Sequence, residues 1–195
     1  MSLLGEHAAE LGRTLELLPR LESELGSAST AIADAFGAGA KVLTAGNGGS
    51  AAEAQHLSSE LVGRLSAARE RAALPAVALH ADTSTLTAVA NDYGYEQVFA
   101  RHVEALGRRG DVLVVLSTSG ASKNLVAAVD RARDLELVTV GLLGQTPRVL
   151  HERCDHVLAV PSADAQVVQE CHIVLIHVLV ELVENELNLR ATALT

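Results

Sequence analysis

Along the first stretch of the chain, apolar residues recur at spacings of three, four and seven: Leu4, Ala8, Leu11, Leu15, Leu18 and Leu25. That period puts them on one face of an amphipathic helix. Pro19 predicts a kink, because it removes a helical N–H and crowds the preceding turn, and Glu22 stands where the stripe asks for an apolar residue. The stripe needs burial, either on its own domain or on a second subunit, and the pattern leaves both open. Residues 27–36 read as a second short helix, closed by Gly37 and Gly39.

From Lys41 the texture changes. Short aliphatic runs at 42–45, 76–79, 112–116, 137–143 and 157–160 alternate with helical stretches. The runs are apolar throughout, as parallel strands buried on both faces should be. Strand–helix–strand order of this kind predicts a doubly wound α/β sheet, whose ligands bind at the carboxyl ends of the strands. Residues 1–39 are read as an N-terminal helical arm and 40–195 as one structural unit.

Composition narrows the function. Hydrophobic residues make up 49 % of the 195 residues and aromatic ones 2 %, with no Trp, so the core is aliphatic and a base-stacking platform is not expected. The net charge of −9 and the lack of a basic run argue against nucleic-acid binding. A small phosphate remains compatible, because backbone N–H groups at a helix start can hold one without Lys or Arg. Cys154 and Cys171 form no CxxC pair and read as idle thiols. No apolar run is taken to approach the ~20 residues of a membrane span, and the first residues lack a signal-peptide pattern. The chain is therefore expected to be soluble and cytoplasmic.

Two loops point to phosphate. The first strand runs into Gly46-Asn47-Gly48-Gly49-Ser50, with a helix expected from about Ala51. Glycines there let the backbone approach a ligand, and the helix start supplies N–H donors. Gly46, Gly48 and Ala51 also satisfy a dinucleotide fingerprint, but the ribose-binding acid it needs is offered only by Asp82, too far along the chain. The third strand runs into Ser117-Thr118-Ser119-Gly120-Ala121-Ser122 before a helix from about Lys123. One helix cap explains one serine, whereas four hydroxyls around a glycine suit a phosphate monoester.

Groups able to move protons follow. His56 and Glu60 are four apart on the helix after the first loop, so they share a face. That spacing serves a metal ligand pair, an acid–base pair or a surface ion pair. In the last helix His177 sits in strongly apolar surroundings and is expected to be at least partly buried. Gln169 and Glu170, eight and seven residues before it, both lie roughly on its side, and periodicity does not choose between them. Asn91-Asp92 either lines the pocket or caps the helix beginning near Tyr95.

Taken in order, GNGGS at 46–50, QHLSSELVGR at 55–64, ANDYGYEQVFARHVEALGRRGDVL at 90–113, LSTSGAS at 116–122 and QECHIVLIHVLVELVE at 169–184 resemble the bacterial phosphoheptose isomerases. The resemblance covers about residues 40–186, with a looser match in the N-terminal helices. It implies a sugar-isomerase (SIS) fold: a flavodoxin-like three-layer α/β/α sandwich with a five-stranded parallel sheet plus N-terminal helices. It implies a homotetramer with sites between subunits, and conversion of sedoheptulose 7-phosphate to D-glycero-D-manno-heptose 7-phosphate. It places zinc, one per subunit, on His56, Glu60, Gln169 and His177, thereby choosing Gln169 over Glu170. Substrate contacts fall on Asn47, Gly48, Gly49, Ser50, Glu60, Asn91, Asp92, Ser117, Thr118, Ser119, Ser122 and Gln169. Isomerisation through an enediol would use Glu60 as base and His177 as acid partner. Lys123 either adds charge near the phosphate or faces solvent, and residues 162–166 receive no role. Two other SIS roles compete: a non-catalytic phosphosugar-binding regulator or replication-initiator scaffold, and an isomerase of arabinose 5-phosphate. The first would not need the His56/Glu60 and Gln169/His177 groups.

Overall fold

Five short aliphatic strands form the centre of the molecule, in a computed structural model that describes residues 2–67 and 69–193, with side chains as far as Asn188. They are β1 (Val42–Gly46), β2 (Ala76–Ala78), β3 (Val112–Ser117), β4 (Val138–Gly144) and β5 (His156–Val160). All pair in parallel, in the order β2-β1-β3-β4-β5. Each of the five expected runs is a strand.

Strand side chains alternate between two apolar layers, which explains the unbroken hydrophobic runs. Val112, Val114 and Leu116 of β3 join one core with α2 (Glu22–Gly37), α3 (Gly49–Val62) and α8 (Ala165–Ala193). Leu113 and Val115 join the other, with α5 (Val98–Leu106) and α6 (Lys123–Asp134). Both cores are fully buried, so truncating a residue such as Leu113 to Ala should cost about 2–5 kcal/mol. The result is the expected three-layer α/β/α sandwich. The remaining helices are α1 (Leu3–Leu15), α4 (Thr83–Tyr93) and α7 (Val149–Arg153).

The N-terminal stripe divides differently from its pattern. α1 ends at Leu15, a 3₁₀ turn spans Leu18–Leu21 with Pro19 in its first turn, and α2 starts at Glu22 rather than at Ser27. Proline suits a first turn, where its missing N–H has no partner to lose. α1 packs on α8, held by His7 Nε2 against the Glu170 carboxylate at 2.9 Å.

One composition-based expectation is corrected. The stretch Ala165–Asn188 of α8 is long and apolar enough to cross a membrane, with mean hydropathy 1.5. Half of it is buried inside the fold, against α2 and α3. Its length of apolar surface comes from serving a core on one side while carrying valines on the other.

Candidate active site

The sheet order reverses between β1 and β3, and at such a switch point the loops leaving neighbouring strands diverge to opposite faces and open a crevice. β1 leaves through Gly46. A Cβ there would lie 2.3 Å from the Ser50 carbonyl oxygen, so only glycine lets the chain double back this tightly. Gly48 adopts φ +57°, ψ −121°, a region closed to most side chains, and α3 begins at Gly49, two residues earlier than its sequence suggests. β3 leaves through Ser117. Its hydroxyl accepts the Gly120 N–H at 3.1 Å and lies 3.4 Å from the Ser119 hydroxyl. Ser122 precedes α6 in the cap position, yet among the described residues its side chain makes no cap hydrogen bond. Its hydroxyl is therefore free for a ligand.

The two loops meet around a cavity of about 140 Å³ lined by Asn47, Ser50, Leu116, Ser117, Thr118, Ser119 and Ser122. The starts of α3 and α6 flank it, so backbone N–H groups and hydroxyls form its polar wall. Asn47 is fixed by a reciprocal amide pair with buried Asn124, at 3.0 and 2.8 Å, and by the Tyr95 hydroxyl, which donates to its Oδ1 at 3.0 Å. Sequence reasoning missed both partners. The only available signals were Asn124 two residues after Ser122 and Tyr95 as one of two tyrosines in the chain.

The candidate proton-moving groups lie farther along α3. Three polar pairs join α3 to α8. Gln169 Nε2 donates to Ser50 Oγ at 3.4 Å, and its amide fills the space a Gly49 side chain would need. His172 Nδ1 lies 3.4 Å from Glu53 Oε2, both groups being buried, with the Leu143 carbonyl 3.5 Å from Nε2. His56 Nε2 lies 2.9 Å from His177 Nε2, and Glu60 Oε1 is 3.8 Å from the same His56 nitrogen. Gln169 and Glu170, equivalent by spacing, thus face different helices: Gln169 meets α3 and Glu170 meets His7 of α1.

The expected burial of His177 is reversed. His177 is exposed and His172 is the fully buried imidazole. α8 carries two apolar stripes, one in the core through Val168, Cys171, Leu175 and Leu179, and one facing outward through Val174 and Val178. His177 belongs to the second. Asn91 and Asp92 end α4, exposed and bonded to each other at 2.8 Å. They do not line the hydroxyl cavity, and neither is a cap, since Gly94 and Gln97 hold the cap positions that follow.

Other expectations are resolved by local chemistry. Asp82 caps α4, accepting the Thr85 N–H at 3.1 Å and its hydroxyl at 2.6 Å, bonds that hold its carboxyl below the usual range. It is thereby occupied, and the dinucleotide reading loses its acid. Lys123 faces solvent and pairs with Glu96 at 2.9 Å. Burial, with Glu170 adding to it, pushes the Cys171 thiol up to about 11; burial and Asp155 push Cys154 to about 12. Neither is a thiolate near neutral pH, so thiol nucleophilic chemistry is not available.

Among the described residues no three His, Cys, Asp or Glu side chains form a ready-made ligand cluster. The donors at the α3–α8 contact nevertheless fit a zinc ion in type. Two imidazole nitrogens already converge and a carboxylate stands behind one of them, while the Gln169 amide lies nearer the first loop, against Ser50.

Residues 6–144 match the family model described as SIS domain. The chain is 46 % identical over 192 residues to a phosphoheptose isomerase of Geobacter sp. (strain M21), a match spanning 96 % of this chain and 99 % of the relative. A solved phosphoheptose isomerase from Francisella tularensis superposes with TM-score 0.86 at 34 % identity, covering 95 % of this chain and 100 % of that one. Another, from Neisseria gonorrhoeae, gives TM-score 0.87 at 37 % identity, covering 93 % and 97 %.

Proposed function

The chain belongs to the SIS domain family as a sugar-phosphate isomerase of the phosphoheptose isomerase group, and on that premise we propose that it converts sedoheptulose 7-phosphate to D-glycero-D-manno-heptose 7-phosphate. One observation carries this reading: α3 holds a phosphate-sized hydroxyl cavity at its start and an imidazole–carboxylate group farther along. From Ser50 to His56 the helix rises about 9 Å, the order of the distance between the phosphate and the carbonyl end of an extended sugar phosphate.

The hydroxyls of Ser117, Thr118, Ser119 and Ser122 and the N–H groups of Gly49 and Ser50 bind the phosphate, while Asn47, Gly48 and the Asn91-Asp92 pair contact the sugar hydroxyls. Glu60 takes the carbon-bound proton from C1 of the open-chain ketose as His177 gives a proton to O2, which forms the enediol. Return of the carbon proton to C2, with loss of the O1 proton, gives the aldose. His56, Glu60, Gln169 and His177 are the donors for one zinc ion per subunit, whose chemistry is to polarise the substrate oxygens. A carboxylate that holds a metal is a poorer base, so Glu60 fills one of its two roles at a time.

We also propose a cytoplasmic homotetramer with sites between subunits. Val174 and Val178, 39 % and 41 % exposed, flank exposed His177, beside an apolar groove of about 320 Å³ that includes Leu15, Leu18, Leu25 and Leu175. A second copy of the chain would cover both at once. The acidic net charge of −9 speaks against a nucleic-acid partner, and burial of α8 speaks against a membrane one.

Replacing Glu60 by Gln tests the reading. Turnover of sedoheptulose 7-phosphate should fall by roughly 10²–10⁴, while affinity for inorganic phosphate stays unchanged. An active Glu60→Gln protein would overturn the assignment, and wild-type turnover of a five-carbon but not a seven-carbon substrate would replace the substrate.

A further inference from the structure

The hydroxyl cavity contains no positive charge. Its lining is hydroxyls, one amide and Leu116, in a protein of net charge −9. A phosphate dianion approaching it meets neutral donors inside an acidic surround. A cation nearby would improve both capture and retention, because charge-assisted hydrogen bonds to phosphate are shorter and stronger than neutral ones.

The turn after β4 supplies one. Arg148 is laced to the hydroxyl loop: its Cβ lies 3.4 Å from the point where a Gly120 side chain would begin, and the Leu150 N–H donates to the Gly120 carbonyl at 3.1 Å. His151 fixes the turn, accepting the Arg148 N–H at Nδ1, 3.1 Å away, and bonding the Gly144 carbonyl through Nε2 at 2.9 Å. Arg148 then borders a second cavity, of about 330 Å³, whose other walls include Thr118, Ser119, Ala121 and Ser162. Thr118 and Ser119 also line the hydroxyl cavity, so the two spaces adjoin across the 117–122 loop.

The guanidinium also has no carboxylate partner. Arg69, Arg71, Arg101, Arg109, Arg131 and Arg153 each face a carboxylate. Among the described residues Arg148 forms no ion pair, although it is exposed in an acidic protein. Lys123, the nearer cation in sequence, is taken up by Glu96.

We infer that Arg148 is a phosphate-binding residue of this site, closing on the substrate phosphate from the outer side of the 117–122 loop. The inference rests on the reading that this loop holds the phosphate. A planar, forked guanidinium suits the task, since it can bond two phosphate oxygens at once.

The test measures inorganic phosphate binding by calorimetry, and KM for sedoheptulose 7-phosphate, in wild type, Arg148→Gln, Arg148→Lys and the double variant S119A/S122A. The turn's own bonds use the Arg148 backbone, so the Gln variant keeps them, and a thermal melt checks this. Arg148→Gln should weaken phosphate binding roughly tenfold or more, the worth of a charge-assisted hydrogen bond. KM should rise more than kcat falls, the salt dependence of kcat/KM should flatten, and Arg148→Lys should restore part of each. Unchanged phosphate affinity in Arg148→Gln, with weakened affinity in S119A/S122A, would overturn the inference alone. Unchanged affinity in both would overturn the phosphate loop itself.

Discussion

The Nε2 atoms of His56 on α3 and His177 on α8 face each other across 2.9 Å, so at most one proton stands between them and one nitrogen must accept. This pair is the last rung of a ladder that begins with Ser50–Gln169 and continues through Glu53–His172. The rungs set the register of two helices, and with it the distance from the proposed phosphate loop to the proposed proton-moving groups.

The middle rung is wholly buried, and truncating one side strands the other. His172→Leu leaves the Glu53 carboxylate without its imidazole, which should cost about 1–3 kcal/mol in urea unfolding. Replacing both residues by Leu should recover part of that loss. Additive losses in the double-mutant cycle would show that the two groups are not coupled.

Two neighbouring glycines should respond differently to alanine. At Gly46 the new Cβ meets the rigid Ser50 backbone at 2.3 Å, so the turn must shift and stability should fall by at least about 1–3 kcal/mol. At Gly49 the same 2.3 Å approach is to the mobile end of Gln169. Gly49→Ala should therefore melt near wild type but displace Gln169 and lose zinc affinity, read by competition with a chromogenic chelator. Equal melting losses in the two variants would contradict this distinction.

His80, at the end of β2, gives a pH test. Both its ring nitrogens are shielded from solvent, and burial pushes its pKa below 6.5, an effect that hydrogen bonding to the Ala51 backbone only partly offsets. Above pH 6.5 it is neutral both folded and unfolded and contributes nothing. As pH falls through 6.5, the unfolded chain takes up a proton the folded one refuses, so stability is lost. Between about pH 8 and about pH 5.5 the urea midpoint of wild type should drop more than that of His80→Leu. Parallel drops would remove His80 from the account.

Much of this was legible in the chain because buried parallel strands write themselves as unbroken aliphatic runs. All five strands and the positions of the two loops after β1 and β3 follow from that pattern. Helix starts were misplaced where the deciding feature is not an apolar period: α3 begins at Gly49 because Gly48 can take a positive φ, and α2 at Glu22 because a 3₁₀ turn precedes it. His177 was expected to be buried because a helix with two apolar stripes has no single apolar face to read. Asn124 follows the second loop directly, but its pairing with Asn47 of the first was not legible, and Tyr95 and Arg148 reach the loops from separate elements brought near by topology alone.

The most direct measurement is turnover of sedoheptulose 7-phosphate by the zinc-supplied protein, followed as aldose phosphate, before and after treatment with a chelator. Product should form, vanish on chelation and return with zinc. Product that survives chelation would leave Glu60 and His177 as free acid–base groups and contradict the metal site. No product at all, from protein that still binds inorganic phosphate, would contradict the isomerase reading and leave a phosphosugar-binding regulator or scaffold.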